Sequence, residues 1–427
     1  MTDSAAPDAA KAAPYAPPAG RVATLDILRG VAVMGILAMN IVAFAMPMQA
    51  YFNPLAYGDG AVEDVATWFV NFVFVDGKMR GFFSFLFGAS MLLVVERARA
   101  AGGSGASIHY RRMFWLLLFG LAHLYLIWWG DILSHYALVG MIAYLFHKLR
   151  PSTLIKWAIA LLIVEFAFFA SGAAYFFVVQ AAAAAPGASA EAVAAFQSMS
   201  HEFAPLAGPA LGQDLALFRG DYPGIVAHRV GAMLFAPLRQ LPFFGPETLA
   251  YMLLGMAGLK SGFLAGAWDL ARYRRTAAIT LAIAIPAYAL LAIANLATGF
   301  RFPELFAISL AGTVPFRPLM VVGYAAIVIL LTRRGGALVE RIAAAGRAAF
   351  TNYLGTSIVM TTIFYGYGLA FYGHVGRPAL YLFVLGMWAL MLLWSKPWLE
   401  RFRYGPLEWL WRSLARGRIE PMRKAPA

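Results

Sequence analysis

The 427 residues contain no cysteine, which excludes disulfide bonds, thiolate metal sites and cysteine nucleophiles and leaves the redox compartment unread. Charge is scarce too: 13% of residues are Asp, Glu, Lys or Arg, against about 25% in an ordinary soluble domain. In their place 61% of the chain is hydrophobic, more than a soluble fold can hide. The apolar residues come in repeated runs of about 20, enough to cross about 30 Å of hydrocarbon. The expected fold is all-α: a polytopic integral membrane bundle of about ten transmembrane helices.

The expected spans are 25–46, 80–96, 113–129, 132–148, 156–180, 243–260, 276–298, 318–332, 348–371 and 378–396. The net charge of +13 would suggest nucleic-acid binding in a soluble protein. Here most Lys and Arg lie in the N-terminal tail and in the segments 97–112, 148–156, 260–275, 333–347 and 396–427, all on one side of that arrangement. They read as topology signals, so the partner is a lipid bilayer and not a nucleic acid, and both termini are expected in the cytoplasm.

Residues 1–20, rich in Ala and Pro, lack the basic start and cleavage site of a signal peptide and read as a disordered tail. A single membrane domain follows over 21–418, and 419–427 form a basic cytoplasmic tail. The apolar stretch 63–75 reverses every later connection if counted as a span, so an interfacial or re-entrant helix is expected there. The stretch 181–241, with mixed charge, Pro and Gly, is expected as an extracytoplasmic loop carrying short helices.

Polar residues inside the spans carry the chemistry. Asp26 and Arg29, three apart on one helical face, can pair with each other as an interfacial anchor or meet a ligand. Gly30 and Gly35 favour close helix packing. Asn40 lies fourteen residues beyond Asp26, about 21 Å along a helix, where its amide needs either another helix or a substrate carbonyl. In the run RRMFWLLLFGLAHLYLIWWGDILSHYALVG, His123 lies deep in one helix and Gly130-Asp131 make the turn to the next. His135 follows Asp131 by four residues, so both side chains are expected to share a face and fold toward His123.

A carboxylate holding one imidazole nitrogen raises the basicity of the other, which suits a general base and equally a proton relay. The plain alternative makes Asp131 a helix cap and each histidine a satisfied core residue. A metal site of two histidines and one carboxylate is the least favoured reading, and no metal is assigned. Arg111 and Arg112 have the forked donors to hold phosphates, or serve only as topology signals.

The runs LDILRG with MN, FFSFLFG, RRMFWLLLFGLAHLYLIWWGDILSHYALVG, YMLLGM, GRAAFTNYLGTS and RFRYGPLEWLWR resemble, in order, those of the bacterial YeiB-type family with its domain of unknown function 418 (DUF418). The resemblance covers nearly all of Arg21 to Arg418. It implies a multi-pass protein of the bacterial inner membrane, and a distant relationship to transmembrane acyltransferases such as heparan-alpha-glucosaminide N-acetyltransferase. The first-helix pattern of those enzymes is matched by Asp26, Arg29, Gly30 and Asn40. The histidine they carry shortly after the Asn has no counterpart between Asn40 and Phe69, so His123 or His135 would have to supply the base.

The leading expectation is an acyltransferase, with acyl-coenzyme A as co-substrate, no covalent cofactor, and an extracytoplasmic hydroxyl or amine acceptor such as a small molecule or envelope glycan. Asp26, Arg29, Arg111 and Arg112 would lie toward the donor, Asn40 would stabilise an oxyanion, and His123, Asp131 and His135 would activate the acceptor. The alternative is a proton-coupled exporter of a small amphipathic metabolite, with the His/Asp layer carrying protons.

Overall fold

The computed structural model describes residues 23–201 and 203–424, so the Ala/Pro-rich segment 1–20 lies outside the described residues. The elements they form are all helices, with one isolated β-bridge between Phe402 and Arg423. Helix is the backbone solution a bilayer enforces, because every N–H and C=O must find its partner within the segment.

Each of the ten expected segments overlaps a helix, although 348–371 runs seven residues past the end of the helix Ala349–Phe364. Five stretches among the described residues are long and apolar enough to cross a membrane: Ala23–Ala45, Val62–Ala100, Pro151–Ala184, Leu270–Ala297 and Arg377–Arg401. Leu133–Phe146 and Arg317–Thr332 are shorter and apolar. The Pro151–Ala184 and Leu270–Ala297 helices keep their apolar surfaces largely exposed, which is what a lipid solvent permits.

The 63–75 stretch is the helix Val62–Phe74. It buries Asp64, Trp68, Phe72 and Val73 and packs on Leu270–Ala297 and Arg377–Arg401. A break at Val75–Gly77 separates it from the helix Lys78–Ala100, and Gly77 turns the chain there at φ 70°.

Two large apolar clusters form most of the interior. One joins Lys78–Ala100, Leu241–Lys260 and Arg317–Thr332; the other joins Ala23–Ala45, Ala349–Phe364 and Arg377–Arg401. Phe83, Phe87 and Ile132 pack against both clusters. Close approach of Ala23–Ala45 to Ala337–Arg347 depends on two glycines. A Cβ on Gly30 would strike the Ile342 carbonyl, and one on Gly346 would strike the Asp26 carbonyl.

The connection expected to carry short helices does so: Ala190–His201, Gly208–Phe218, Tyr222–Met233 and Ala236–Arg239. It is tied to one end of the bundle by Arg219 Nε donating to the Tyr372 carbonyl at 2.8 Å and Tyr222 Oη donating to the Leu126 carbonyl at 2.8 Å. At the other end lies the amphipathic helix Pro406–Arg416. Its Glu408 caps the neighbouring helix Ala349–Phe364, accepting from Phe350 N at 2.6 Å, Thr351 N at 3.1 Å and Thr351 Oγ1 at 2.6 Å. Ala348, at the cap position of that helix, has no side chain to do this.

Candidate functional site

The helix Gly105–Ala122 does not end cleanly. It widens into a π-turn over His123–Ile127, then runs extended through Trp128 before the helix Leu133–Ala143 begins. Such turns interrupt the i to i−4 ladder and occur frequently at functional sites. The next helix passes close enough that a Cβ on Gly120 would meet the Ser134 backbone.

The turn brings His123 Nδ1 to 2.8 Å from Asp131 Oδ1, with both side chains fully buried. Asp131 also accepts from Leu133 N at 3.1 Å, Ser134 N at 2.8 Å and Ser134 Oγ at 2.6 Å. It is therefore both the helix cap and the orienting partner of the imidazole. An ionised carboxylate can only accept, so facing one Nδ1 carries the hydrogen, and the neutral tautomer of such a ring presents its lone pair at Nε2. That Nε2 is buried and has no hydrogen-bond partner. The ring lies 5.2 Å from that of Tyr353 and 6.3 Å from that of Trp128, which in turn stacks on Phe44 at 3.9 Å.

His135 does not join this group, contrary to the expected convergence. Its Nε2 lies 3.0 Å from Thr248 Oγ1, on the helix Leu241–Lys260. The physical reason is that Asp131 precedes the first turn of Leu133–Ala143 in non-helical backbone, so the i, i+4 relation does not place the two side chains together. Among the described residues no three His, Cys, Asp or Glu side chains are grouped to hold a metal ion. Asn40 is buried and lines a small void of about 10 Å³ with Trp128, Tyr353, Thr356 and Ser357, two of which also flank His123.

From the end of the bundle that carries Pro406–Arg416, a cavity of about 590 Å³ runs inward between the two apolar clusters. Arg29, Arg97, Arg112, Arg347, Arg403 and Arg412 line it, against two carboxylates, Asp26 and Glu408. Its remaining wall is apolar and aromatic, including Phe83, Phe87, Met113, Leu116, Tyr136, Leu133 and Tyr353. His123 and Asp131 do not line it, but the last two wall residues adjoin them: Tyr353 is the ring neighbour of His123, and the Leu133 amide is bonded to Asp131.

Asp26 and Arg29 pair as expected, at 3.0 Å, and Arg29 also donates to Ser90 Oγ through Nε at 3.1 Å and Nη2 at 2.7 Å. The Arg112 guanidinium lies 4.0 Å over the Trp411 ring and that of Arg412 4.6 Å over Tyr404, leaving donor edges unspent on acids. Burial pushes Arg412 below the usual arginine range. Arg111 is exposed and does not line the cavity, because successive helical residues point about 100° apart. Arg97, Arg403, Arg412 and Tyr353 carry no site signal in the sequence; Arg412 and Trp411 stand there only in the run RFRYGPLEWLWR.

A second buried network lies beyond the first. Glu247 accepts from Arg80 Nη2 at 2.9 Å and from Arg317, and Arg317 donates to Thr313 Oγ1 at 2.6 Å. Lys78, fully buried, stands 3.3 Å over the Tyr288 ring and donates to the Phe72 carbonyl. These cations fall among the few basic residues outside the clustered segments. Paired burial is the only inexpensive way to keep them inside.

The helices and the basic-mouthed cavity together define a helical membrane protein. Within that class, the chain belongs to the YeiB-type DUF418 family. The family model described as "Protein of unknown function (DUF418)" matches residues 259–418. The chain is 32% identical over 425 residues to the "Uncharacterized protein YxaH" of Bacillus subtilis (strain 168), covering 95% of this chain and 96% of that one. It is 33% identical over 404 residues to the "Uncharacterized protein YeiB" of Escherichia coli (strain K12), covering 92% and 96%. An "Uncharacterized 39.9 kDa protein in amylase 3'region" of Bacillus acidopullulyticus is 24% identical over 409 residues, covering 94% and 96%. No solved structure matches the chain.

Proposed function

We propose that this protein is a multi-pass acyltransferase of the bacterial inner membrane, with about ten spans and both termini in the cytoplasm. It takes an acyl group from acyl-coenzyme A at its arginine-lined end and delivers it to a hydroxyl or amine acceptor at the other. One observation carries this reading: a single cavity joins a mouth of six arginines to an apolar wall ending at Leu133 and Tyr353, the residues that flank the His123–Asp131 pair. An acyl-coenzyme A has the same polarity, phosphates at one end and a thioester with its acyl chain at the other.

The donor phosphates would be held by the unspent edges of Arg112 and Arg412, with Arg403 beside them. The helix from Arg112 to His123 spans eleven residues, about 16 Å, so a flexible arm must bridge phosphates and thioester. His123 Nε2 would accept the proton of the acceptor O–H or N–H as the acceptor atom attacks the thioester carbonyl. The C–S bond then breaks, and the departing thiolate takes a proton. Asp131 fixes the tautomer and steadies the imidazolium that forms between these events. The Asn40 amide, at the void beside Trp128 and Tyr353, is the candidate donor to the oxyanion.

The test is purified protein in liposomes supplied with labelled acyl-coenzyme A and an extract of envelope acceptors. Label moves to an acceptor with wild type and stays on coenzyme A with His123→Ala. Failure of the wild type to bind the donor or move the label would overturn the proposal. The orientation has its own check: a cytoplasm-active reporter works after Lys424 and fails when inserted near Ala190.

A proton-coupled exporter remains the second reading, and one observation favours it. Glu165, on Pro151–Ala184, is 1% exposed and has no side-chain hydrogen-bond or ion-pair partner among the described residues, while it feels the charge of Glu247, Arg80 and Arg317. A carboxyl so placed is suited to carry a proton. Proton uptake that accompanies substrate efflux and disappears in Glu165→Gln would select this reading.

A further inference from the structure

At the end of the bundle away from the arginine mouth, the helix Tyr222–Met233 lies over the π-turn of His123–Ile127. It buries two side chains, Ile225 and Arg229, one turn apart. Ile225 enters the apolar cluster that holds Phe44, Trp128 and Tyr365. Arg229 follows on the same face and is 1% exposed.

None of its Nε, Nη1 or Nη2 atoms has a hydrogen-bond partner, and no carboxylate lies within ion-pair distance among the described residues. The ionisable groups that feel its charge are three phenols: Tyr365, Tyr367 and Tyr222. A buried guanidinium with five donors and no anion is costly and ordinarily acquires one. It does not stand alone: Trp128 Nε1 and His123 Nε2 are likewise buried and unpartnered, and Tyr365 Oη, which the Trp129 indole N–H approaches, still has its own hydrogen to give. Open donors on Arg229, Tyr365 and Trp128 and the imidazole lone pair of His123 thus gather where the helix Tyr222–Met233 packs on the π-turn, while Tyr222 and Tyr367, 5.3 Å apart, stand nearer the surface.

We infer that Arg229, with Tyr365 and Trp128, forms the subsite for an anionic group of the acceptor, a phosphate or a carboxylate, and thereby turns the acceptor's hydroxyl or amine toward His123. The forked guanidinium suits paired anionic oxygens, and the phenol and indole N–H supply further donors. The role assigned to His123 rests on the acyl-transfer reading; anion capture by Arg229 does not.

The experiment uses the full chain in phosphatidylcholine nanodiscs, with inorganic phosphate and glycerol 3-phosphate as soluble probes and glycerol as the neutral control. A parallel preparation replaces phosphatidylcholine with phosphatidylglycerol, so that a lipid headgroup is distinguished from a free anion. Wild type is stabilised by one anion source and not by glycerol. In Arg229→Met binding weakens at least about tenfold, while the unliganded protein melts at the same temperature or higher, since an unpaired buried cation has been removed. Arg229→Lys keeps the charge, loses the fork and falls between the two.

The inference is overturned if neither anion source affects wild type, if Arg229→Met responds to anions as wild type does, or if Arg229→Lys responds no differently from wild type. Anion binding without any acyl transfer would leave the subsite and remove the transfer reading. Acyl transfer to anionic acceptors that is undiminished in Arg229→Met would do the reverse.

Discussion

His123 Nδ1 and Asp131 Oδ1 stand 2.8 Å apart although they lie eight positions apart, with π-turn and extended chain between them. The contact makes the imidazole's direction a property of the helix that follows it, because the same carboxylate caps Leu133–Ala143. Loss of Asp131 therefore has two separable consequences. Asp131→Asn is expected to lower acyl transfer by about 10²- to 10⁴-fold, the range for a misoriented general base. Ser134→Ala, which removes one bond to the carboxylate and leaves the His123 contact, is expected to cost far less. Steady-state transfer rates for both variants check the prediction.

Arg112 and Arg412 are held over aromatic rings, not in ion pairs. Replacing either with Gln is expected to weaken acyl-coenzyme A binding by about 1.5–3 kcal/mol, roughly tenfold or more, if the bond lost is to a phosphate. Arg111→Gln, exposed and off the cavity, is expected to leave binding unchanged. Titration calorimetry reads both, and a pantetheine thioester lacking the nucleotide should bind all three proteins alike.

Glu408 supplies the cap that Ala348 lacks. Glu408→Ala is expected to destabilise the protein by about 0.5–2 kcal/mol, the usual range for a lost helix cap, measured as a lower melting temperature in detergent. Bound coenzyme A should recover part of that loss, because both lie at the mouth of one cavity.

Gly30 and Gly346 let two helices touch backbone to backbone. Alanine at either forces them apart, at a cost of about 1–3 kcal/mol for overpacking. Since Asp26, Arg29 and Arg347 ride on those helices, donor affinity should fall together with the melting temperature.

Asp214, on the helix Gly208–Phe218, accepts from Tyr372 Oη at 3.0 Å, and burial raises its carboxyl above the ordinary range. The folded state therefore holds this proton to higher pH than the unfolded chain. Its contribution is greatest in acid and is lost as pH rises through the raised folded value. Asp214→Asn should flatten that decline in a melting-temperature series against pH.

The helices and the His123–Asp131 pair were legible because both are local signals: an apolar run declares a span, and an acid at the turn between two spans sits near the residues beside it. His135 misled because the four-residue spacing counts only inside a helix, and Asp131 lies before its start. The cavity was legible only at Asp26, Arg29 and Arg112, which line it as expected of residues toward the donor; Arg97, Arg347, Arg403 and Arg412 carry no such signal. The cavity wall is assembled from residues as distant as Asp26 and Arg412, and in the sequence those four arginines look like any other basic residues between spans. Arg229 was visible only as one of the few basic residues on the sparse side, with nothing to announce that it would be buried without a partner.

The account turns on whether the cavity presents a thioester to His123. An acyl-coenzyme A carrying a photoreactive group beside its thioester, irradiated with the protein in nanodiscs and mapped by mass spectrometry, reads this directly. The expected adducts lie on Leu133 and Tyr353, disappear with excess coenzyme A and weaken in Arg112→Gln. Adducts confined to the lipid-facing helices Pro151–Ala184 and Leu270–Ala297, or insensitive to coenzyme A, would contradict it.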